Sequence, residues 1–293
     1  MKTKKLLFVT KFEELGFDAL KSLLGLRLAG LEHVVFVNVI ERDRVAMRRG
    51  TGYNKKEEIR LRETANIRFI QWAENLFEQG LEVGVYIVVG NLVSEVIKAA
   101  QKEESDLIVI GRSQKGVLKQ LYAGSDVTEL LHRTATPVLV YKYMSEYSFA
   151  LEKPFERPLL AIDWSPASLK AVDYLKGLAK IVREINVIHV ASEKEISGSS
   201  AMDVQKTRKA KRRKLDAICD VFESEGIETR AHVYIGDPKH ELEKAARECQ
   251  ATIIVMGSSG KTGWVERWLG STPRHIAEKS VYPTLLIPPE KKK

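Results

Sequence analysis

A chain of 293 residues with 44% hydrophobic and 29% charged residues is about two domains long and carries enough apolar mass to exclude wholesale disorder. No apolar run approaches the ~18 residues of a membrane span. Cys219 and Cys249 form neither a CxxC pair nor a metal-ligand spacing with the scattered histidines, so a disulfide scaffold and a zinc module are excluded and a cytoplasmic protein is expected. The formal net charge of +8 favours anionic partners without choosing among nucleic acid, anionic lipid and phosphorylated ligands.

The opening residues predict a strand at LLFVT from Leu6 rather than a leader, because acidic residues follow after five apolar ones. A second strand, VFVNV from Val35, precedes a basic stretch at 42–56 with Arg48, Arg49 and Lys55, which reads as a loop. The strand DLIVIG ends at Gly111, and AGSDVTELLHRTATPVLVYK from Ala123 carries Gly124-Ser125 into a helix and then a last strand at 138–141. The segment MSEYSFALEKPFE at 144–156 then interrupts the pattern.

After it the pattern starts again. DLIVIG recurs as TIIVMG ending at Gly257, and the segment from Ala123 recurs as LGSTPRHIAEKSVYPTLLIP from Leu269, both at an offset of 146. The same offset carries Gly90 onto Gly236 and Pro137 onto Pro283, whereas LLFVT corresponds to LLAID at Leu159 and VFVNV to NVIHV at Asn186. Strands are predicted at 158–162, 185–190, 230–235, 251–256 and 283–287, with helices between them. Their near-continuous Val, Ile and Leu content predicts burial on both faces, as in a parallel sheet covered by helices. The fold class is therefore α/β, two doubly wound five-stranded domains in tandem at 1–143 and 157–290. The connector at 144–156 is short and not Gly/Ser-rich, so the halves are expected to pack on each other.

In the second half Gly257 and Gly260 follow a strand, and Gly270-Ser271 opens a helix after nine further residues. Glycines there let backbone N–H groups approach a phosphate, the helix start favours an anion, and Ser271 and Thr272 add hydroxyls. Taken alone, such a loop serves either a phosphate or turns. Asp163, at the end of the first strand of the same half, puts a second ligand-like residue where open α/β sheets bind ligands. Gly260-Lys261-Thr262 imitates the end of a P-loop, but Val255 stands where that motif needs glycine. Lys261 is either a phosphate neutraliser or a solvated loop lysine.

Together AIDWSPASLKAV, GDPKHELEKAA and VMGSSGKTGWVERWLGS resemble the universal stress protein family over nearly the whole second half. Gly257, Gly260, Gly270 and Ser271 fit the Gly-x2-Gly-x9-Gly-Ser pattern of its nucleotide-binding members, and Asp163 matches its first-strand aspartate. The resemblance implies a Rossmann-like, adenine nucleotide alpha hydrolase-like fold that binds ATP or a related adenine nucleotide, with Mg2+ as an optional companion. It places Asp163 near the nucleoside, Val187 and Met256 along the base, and the glycine loop around the phosphates. Family members pair through their last strands, which implies that 138–141 and 285–287 meet inside one chain, and a homodimer is a further option.

The first half departs from the pattern. Thr10 stands for Asp163 and Gln114 for Gly260, with Gly116 nearby, so this half is expected to bind nucleotide weakly or not at all. The basic run at 206–214 shares a helix with an apolar stripe of Ala210, Leu215, Ile218 and Val221 and reads as its solvated face; without interleaved aromatic residues, specific DNA binding is not expected. Asp237, in Gly236-Asp237-Pro238, reads as a helix N-cap and His189 as a satisfied strand-end histidine. No residue set for catalysis stands out. A nucleotide-binding stress-response or regulatory protein leads, with a slow ATPase or nucleotide-dependent enzyme and a ligand-free interaction scaffold as alternatives.

Overall fold

The computed structural model describes residues 3–11, 15–46, 52–112, 124–142, 153–192, 195, 198, 200–259 and 269–289. The first half runs β1 (Lys5–Val9), α1 (Phe17–Leu23), β2 (His33–Glu41), α2 (Arg42–Val45), α3 (Lys55–Phe77), β3 (Glu82–Gly90), α4 (Leu92–Lys102), β4 (Leu107–Arg112), α5 (Gly124–Arg133) and β5 (Val138–Lys142). The second runs β6 (Pro158–Ala161), α6 (Pro166–Lys176), β7 (Glu184–Ala191), α7 (Ala201–Glu223), β8 (Glu228–Ile235), α8 (Pro238–Glu248), β9 (Ile253–Gly257), α9 (Ser271–Lys279) and β10 (Thr284–Ile287). Part of the basic stretch expected as a loop is instead helical, as α2 and the first turn of α3, and Ala46 bridges Tyr53 between them.

All strands join one ten-stranded sheet in the order β3-β2-β1-β4-β5-β10-β9-β6-β7-β8. Pairing is parallel within each half, and the halves meet where β10 runs antiparallel to β5, with Leu285 opposite Leu139. The last strands thus meet inside one chain, as the resemblance implied. Alternation along the strands explains the two-sided burial. Leu6 and Phe8 of β1 enter a core shared with α1, α3, α6 and α7, while Leu7 and Val9 enter another shared with α4, α5, α8 and α9. Each core runs through both halves. Among the described residues no helix is long and apolar enough to cross a membrane, and no trio of His, Cys, Asp or Glu could hold a metal ion.

Side-chain hydrogen bonds from Thr3, Thr128 and Lys142 help to stitch the halves together. Thr3 Oγ1 and Tyr174 Oη lie 2.9 Å apart, Thr128 Oγ1 donates to Glu278 Oε1 at 2.7 Å, and the fully buried Lys142 donates to Ile276 O at 2.8 Å and Thr284 Oγ1 at 3.2 Å.

Candidate functional site

In the second half β6 has β7 on one side and β9 on the other, so the chain leaves the sheet centre in opposite directions at the ends of β6 and β9. Such a switch point opens a crevice beyond the strand ends. A cavity of about 360 Å³ lies there, within the size range of small-molecule sites. Its apolar part is formed by Ala161, Ile188, Val190, Pro238, Leu242 and Met256; its polar part is formed by Asp163, Ser259 and the start of α9 at Gly270, Ser271 and Thr272.

Asp163 follows β6 in a tight turn. Its Oδ1 accepts from the Ser165 backbone N–H at 2.9 Å and from Ser165 Oγ at 2.6 Å. Ser165 is also the N-cap of α6, accepting from Ser168 N at 3.2 Å, with Pro166 at the first helical position. The Ser165 hydroxyl has one proton and two acceptors, Asp163 and Ser259 O at 3.1 Å, and the shorter bond to the carboxylate is the stronger. The turn between Asp163 and Ser165 sets Trp164 at φ 59°, a left-handed conformation that non-glycine residues seldom adopt. The Trp164 ring lies 4.3 Å from that of His189, and the ammonium groups of Lys211 and Lys214 sit 5.0 and 5.5 Å from its centre on α7. Lys211 in turn pairs with Glu195, which lines the cavity, at 3.0 Å. The basic run is therefore only partly a solvated face. Of its expected stripe, Leu215 and Ile218 are buried and Val221 is packed against the core, whereas Ala210 is exposed.

The start of α9 is an anion-favouring terminus with, among the described residues, two donors to spare. Gly270 N–H is already used, donating to Ser258 O at 2.9 Å, and Arg274 N–H donates to Gly270 O at 3.0 Å. Pro273 has no N–H, and no side chain caps the helix. Ser271 and Thr272 line the cavity, and among the described residues nothing accepts from their backbone N–H groups.

One expected residue takes a different place, and another has a second role. Val187 is fully buried in the core shared with α6 and α7, on the opposite face of the sheet from the cavity. A strand turns alternate side chains to opposite faces, so Ile188 and Val190 line the cavity instead, with His189 between them. Gly257 lines the cavity, yet its lack of a side chain has a packing cause. A Cβ there would lie 2.7 Å from Ser168 N and 2.8 Å from Ala167 Cβ, inside the first turn of α6. Gly260 and Lys261 lie outside the described residues, as do Gln114 and Gly116. Asp237 caps α8, accepting from Lys239 N at 3.1 Å. His189 is buried with Nδ1 2.7 Å from Ile162 O. Trp164, Ser259 and Glu195 carried no readable signal: Trp164 depends on an unusual φ, and Glu195 on an ion pair with a helix sixteen residues on.

The corresponding end of the first half is differently furnished. Thr10 Oγ1 donates to Leu15 O at 2.5 Å, and Asn38, which aligns with His189, donates to Thr10 O at 2.9 Å. Lys11 pairs with Glu41 at 2.5 Å. Asp126, at the position of Thr272, is half-buried; burial first and then the Glu41 charge push its carboxyl pKa up, against the pull of Lys11. Where the second half offers hydroxyls and N–H groups unused among the described residues, the first holds two carboxylates.

A profile of the universal stress protein family matches residues 2–142 and 154–288. Universal stress protein YxiE of Bacillus subtilis is 28% identical over 146 residues, covering 45% of this chain and 99% of that protein. A universal stress protein of Methanocaldococcus jannaschii is 31% identical over 153 residues, 47% of this chain and 94% of its own length. The crystal structure of a universal stress protein from Archaeoglobus fulgidus superposes with a TM-score of 0.73 at 24% identity, covering 100% of this chain and 98% of that one, a likeness of fold.

Proposed function

The chain belongs to the universal stress protein family, and from that premise we propose that it is an adenine-nucleotide-binding regulatory protein whose second half holds the ligand. The observation that carries this reading is the polarity of the cavity: an apolar slot beside Ile188 and Met256 suits a base, and the unused N–H groups of Ser271 and Thr272 suit phosphate. Asp163 stands at the polar side as an acceptor for nucleoside hydroxyls. Mg2+ would arrive with the phosphates, since no described residue set holds a metal by itself. The carboxylates of Glu41 and Asp126 argue against phosphate in the first half. Occupancy has a route outward, because Glu195 of the cavity is tied to Lys211, and Lys211 to Trp164. The role is one of binding; among the described residues both acids at the cavity already serve as acceptors, Asp163 for Ser165 and Glu195 for Lys211.

The test is to denature freshly purified protein, identify any released nucleotide by mass, and titrate ATP into wild type, Asp163→Ala and Gly260→Gln. Recovery of about one adenine nucleotide per chain, weakened by both substitutions, is the expected result. Absence of bound nucleotide together with no ATP binding at millimolar concentration would overturn the reading.

A further inference from the structure

The helices α3 and α7 are counterparts at the offset of 146, as are β3 and β8, the two edges of the sheet. Each helix lies against its edge strand, but the grooves between them differ. In the first half Arg62 fills the position: its Nε donates to Glu58 Oε1 at 2.7 Å and its Nη1 to the edge carbonyl of Ile87. Glu58 is buried and gathers hydrogen bonds from Lys55, Tyr53 and Arg62, which in that order hold its pKa at about 2, well below the usual carboxylate range.

In the second half Arg62 corresponds to Arg208 and Ile87 to Val233, but Glu58 corresponds to Val204. The groove there remains open, about 380 Å³, lined by Gln205, Arg208, Lys209, Arg212, Arg213 and Val233. The matching α3 stripe is Ile59, Arg62, Glu63, Asn66 and Ile67, so its two charges cancel, whereas the α7 stripe carries four cations and no acid. Arg212 has an exposed pair with Asp216 at 2.8 Å, a kind of contact that contributes little in water. Among the described residues Arg208, Lys209 and Arg213 have no ion pair. The fold does not require this charge, since the first half makes the same helix and edge without it. Beside it, β8 pairs among the described residues with β7 alone and leaves its outer side unpaired there.

We propose that the groove between α7 and β8 is a docking site for an acidic, extended segment of a partner protein. A partner carboxylate would take the place beside Arg208 that Glu58 takes beside Arg62, while its backbone lies along the β8 edge. The internal stand-in for this ligand is a carboxylate joined through Arg62 to a strand carbonyl, a pairing of acid with strand backbone that an acidic polypeptide supplies and a polyphosphate does not.

The probe is a short fluorescein-labelled peptide of alternating glutamate and threonine, titrated by anisotropy into the full chain at low salt. Val204→Glu adds a carboxylate four residues before Arg208, the favoured helical orientation for an ion pair, and closes the groove from within. Saturable binding is expected, weakened about tenfold or more by Val204→Glu. Ile67→Glu, which adds the same charge to the matching stripe of α3, is expected to change it by less than about twofold. Methylating alternate amides of the peptide weakens binding if its backbone pairs with β8. No peptide binding, equal loss with the two substitutions, indifference to amide methylation, or displacement by oligothymidylate at equal or lower concentration would each overturn the proposal. Both substitutions lie on helix surfaces, and unchanged circular dichroism verifies the fold.

Discussion

Replacing Gly257 by alanine separates packing from ligand approach, two reasons for the same glycine. The new Cβ would stand 2.7 Å from Ser168 N and 2.8 Å from both Ala167 C and Ala167 Cβ. Comfortable separations are about 3.5–4 Å, so the first turn of α6 must retreat by on the order of 1 Å or β9 must bend. Overpacking of this kind costs about 1–3 kcal/mol. The upper part of that range applies, since the obstructing atoms include a helix backbone that cannot rotate away. Gly90 is the control: a Cβ there would also meet an atom at 2.7 Å, but that atom is Glu95 Cγ, whose side chain can turn aside, and its cost stays below about 1 kcal/mol. Urea unfolding of the full chain, followed by circular dichroism, compares the two. Because Ser165 caps the displaced turn and holds Asp163, ATP affinity falls together with stability in Gly257→Ala. Equal costs for the two alanines would refute the packing argument. Lost ATP binding at unchanged stability would assign Gly257 to the ligand instead.

Thr272→Asp gives the second half the acid that the first carries at Asp126. A carboxylate at the start of α9 gains about 0.3–1 kcal/mol from the helix dipole, while ATP affinity drops by at least about tenfold, so urea midpoint and calorimetric titration move in opposite directions. Asp126→Asn probes the raised pKa of the native residue. The folded state favours the protonated form, so the wild-type penalty is absent below the ordinary carboxylate range and grows as pH rises through the raised pKa. The stability of the variant relative to wild type therefore climbs with pH and then levels off; a pH-independent difference would dismiss the assigned cause.

The sheet was readable because each buried strand announces itself as a run of Val, Ile and Leu, and because an uninterrupted offset of 146 repeats from Gly90 onward; the structure extends that offset back to Lys55, the start of α3. The apolar runs also explain what failed. A strand buried on both faces lacks the polar alternation that reveals which residues share a side, so Val187 and Ile188 look equivalent in sequence although they enter opposite cores. The strand–helix junctions of the second half were readable through Asp163, Gly257 and the Gly270-Ser271 pair. Their physical uses were less so: Gly257 accommodates α6, and Gly270 spends its N–H on Ser258, leaving the unused donors one and two residues further on. Side-chain contacts between distant segments were invisible. Nothing in a basic helix signals that two of its lysines cover a tryptophan beside the cavity.

The first half keeps its fold while filling, from its own side chains, the places that the second leaves open. Glu41, Lys11 and Asp126 gather at the strand ends, and Glu58 anchors Arg62 at the sheet edge. Groups neutralised internally offer little to a ligand, since binding would have to break charge-assisted hydrogen bonds already formed. Yet this half is not detached from the cavity. Lys142 of β5 reaches across to the carbonyl of Ile276 in α9, and Thr128 of α5 holds Glu278 of the same helix. The helix whose first turn presents the N–H groups of Ser271 and Thr272, unused among the described residues, is therefore fixed at its far end by the other half. A helix so clamped keeps its donors oriented before any anion arrives, which lowers the ordering cost of binding. The buried side chain of Lys142 contributes to the cavity of the second half by holding α9 in place, without touching a ligand.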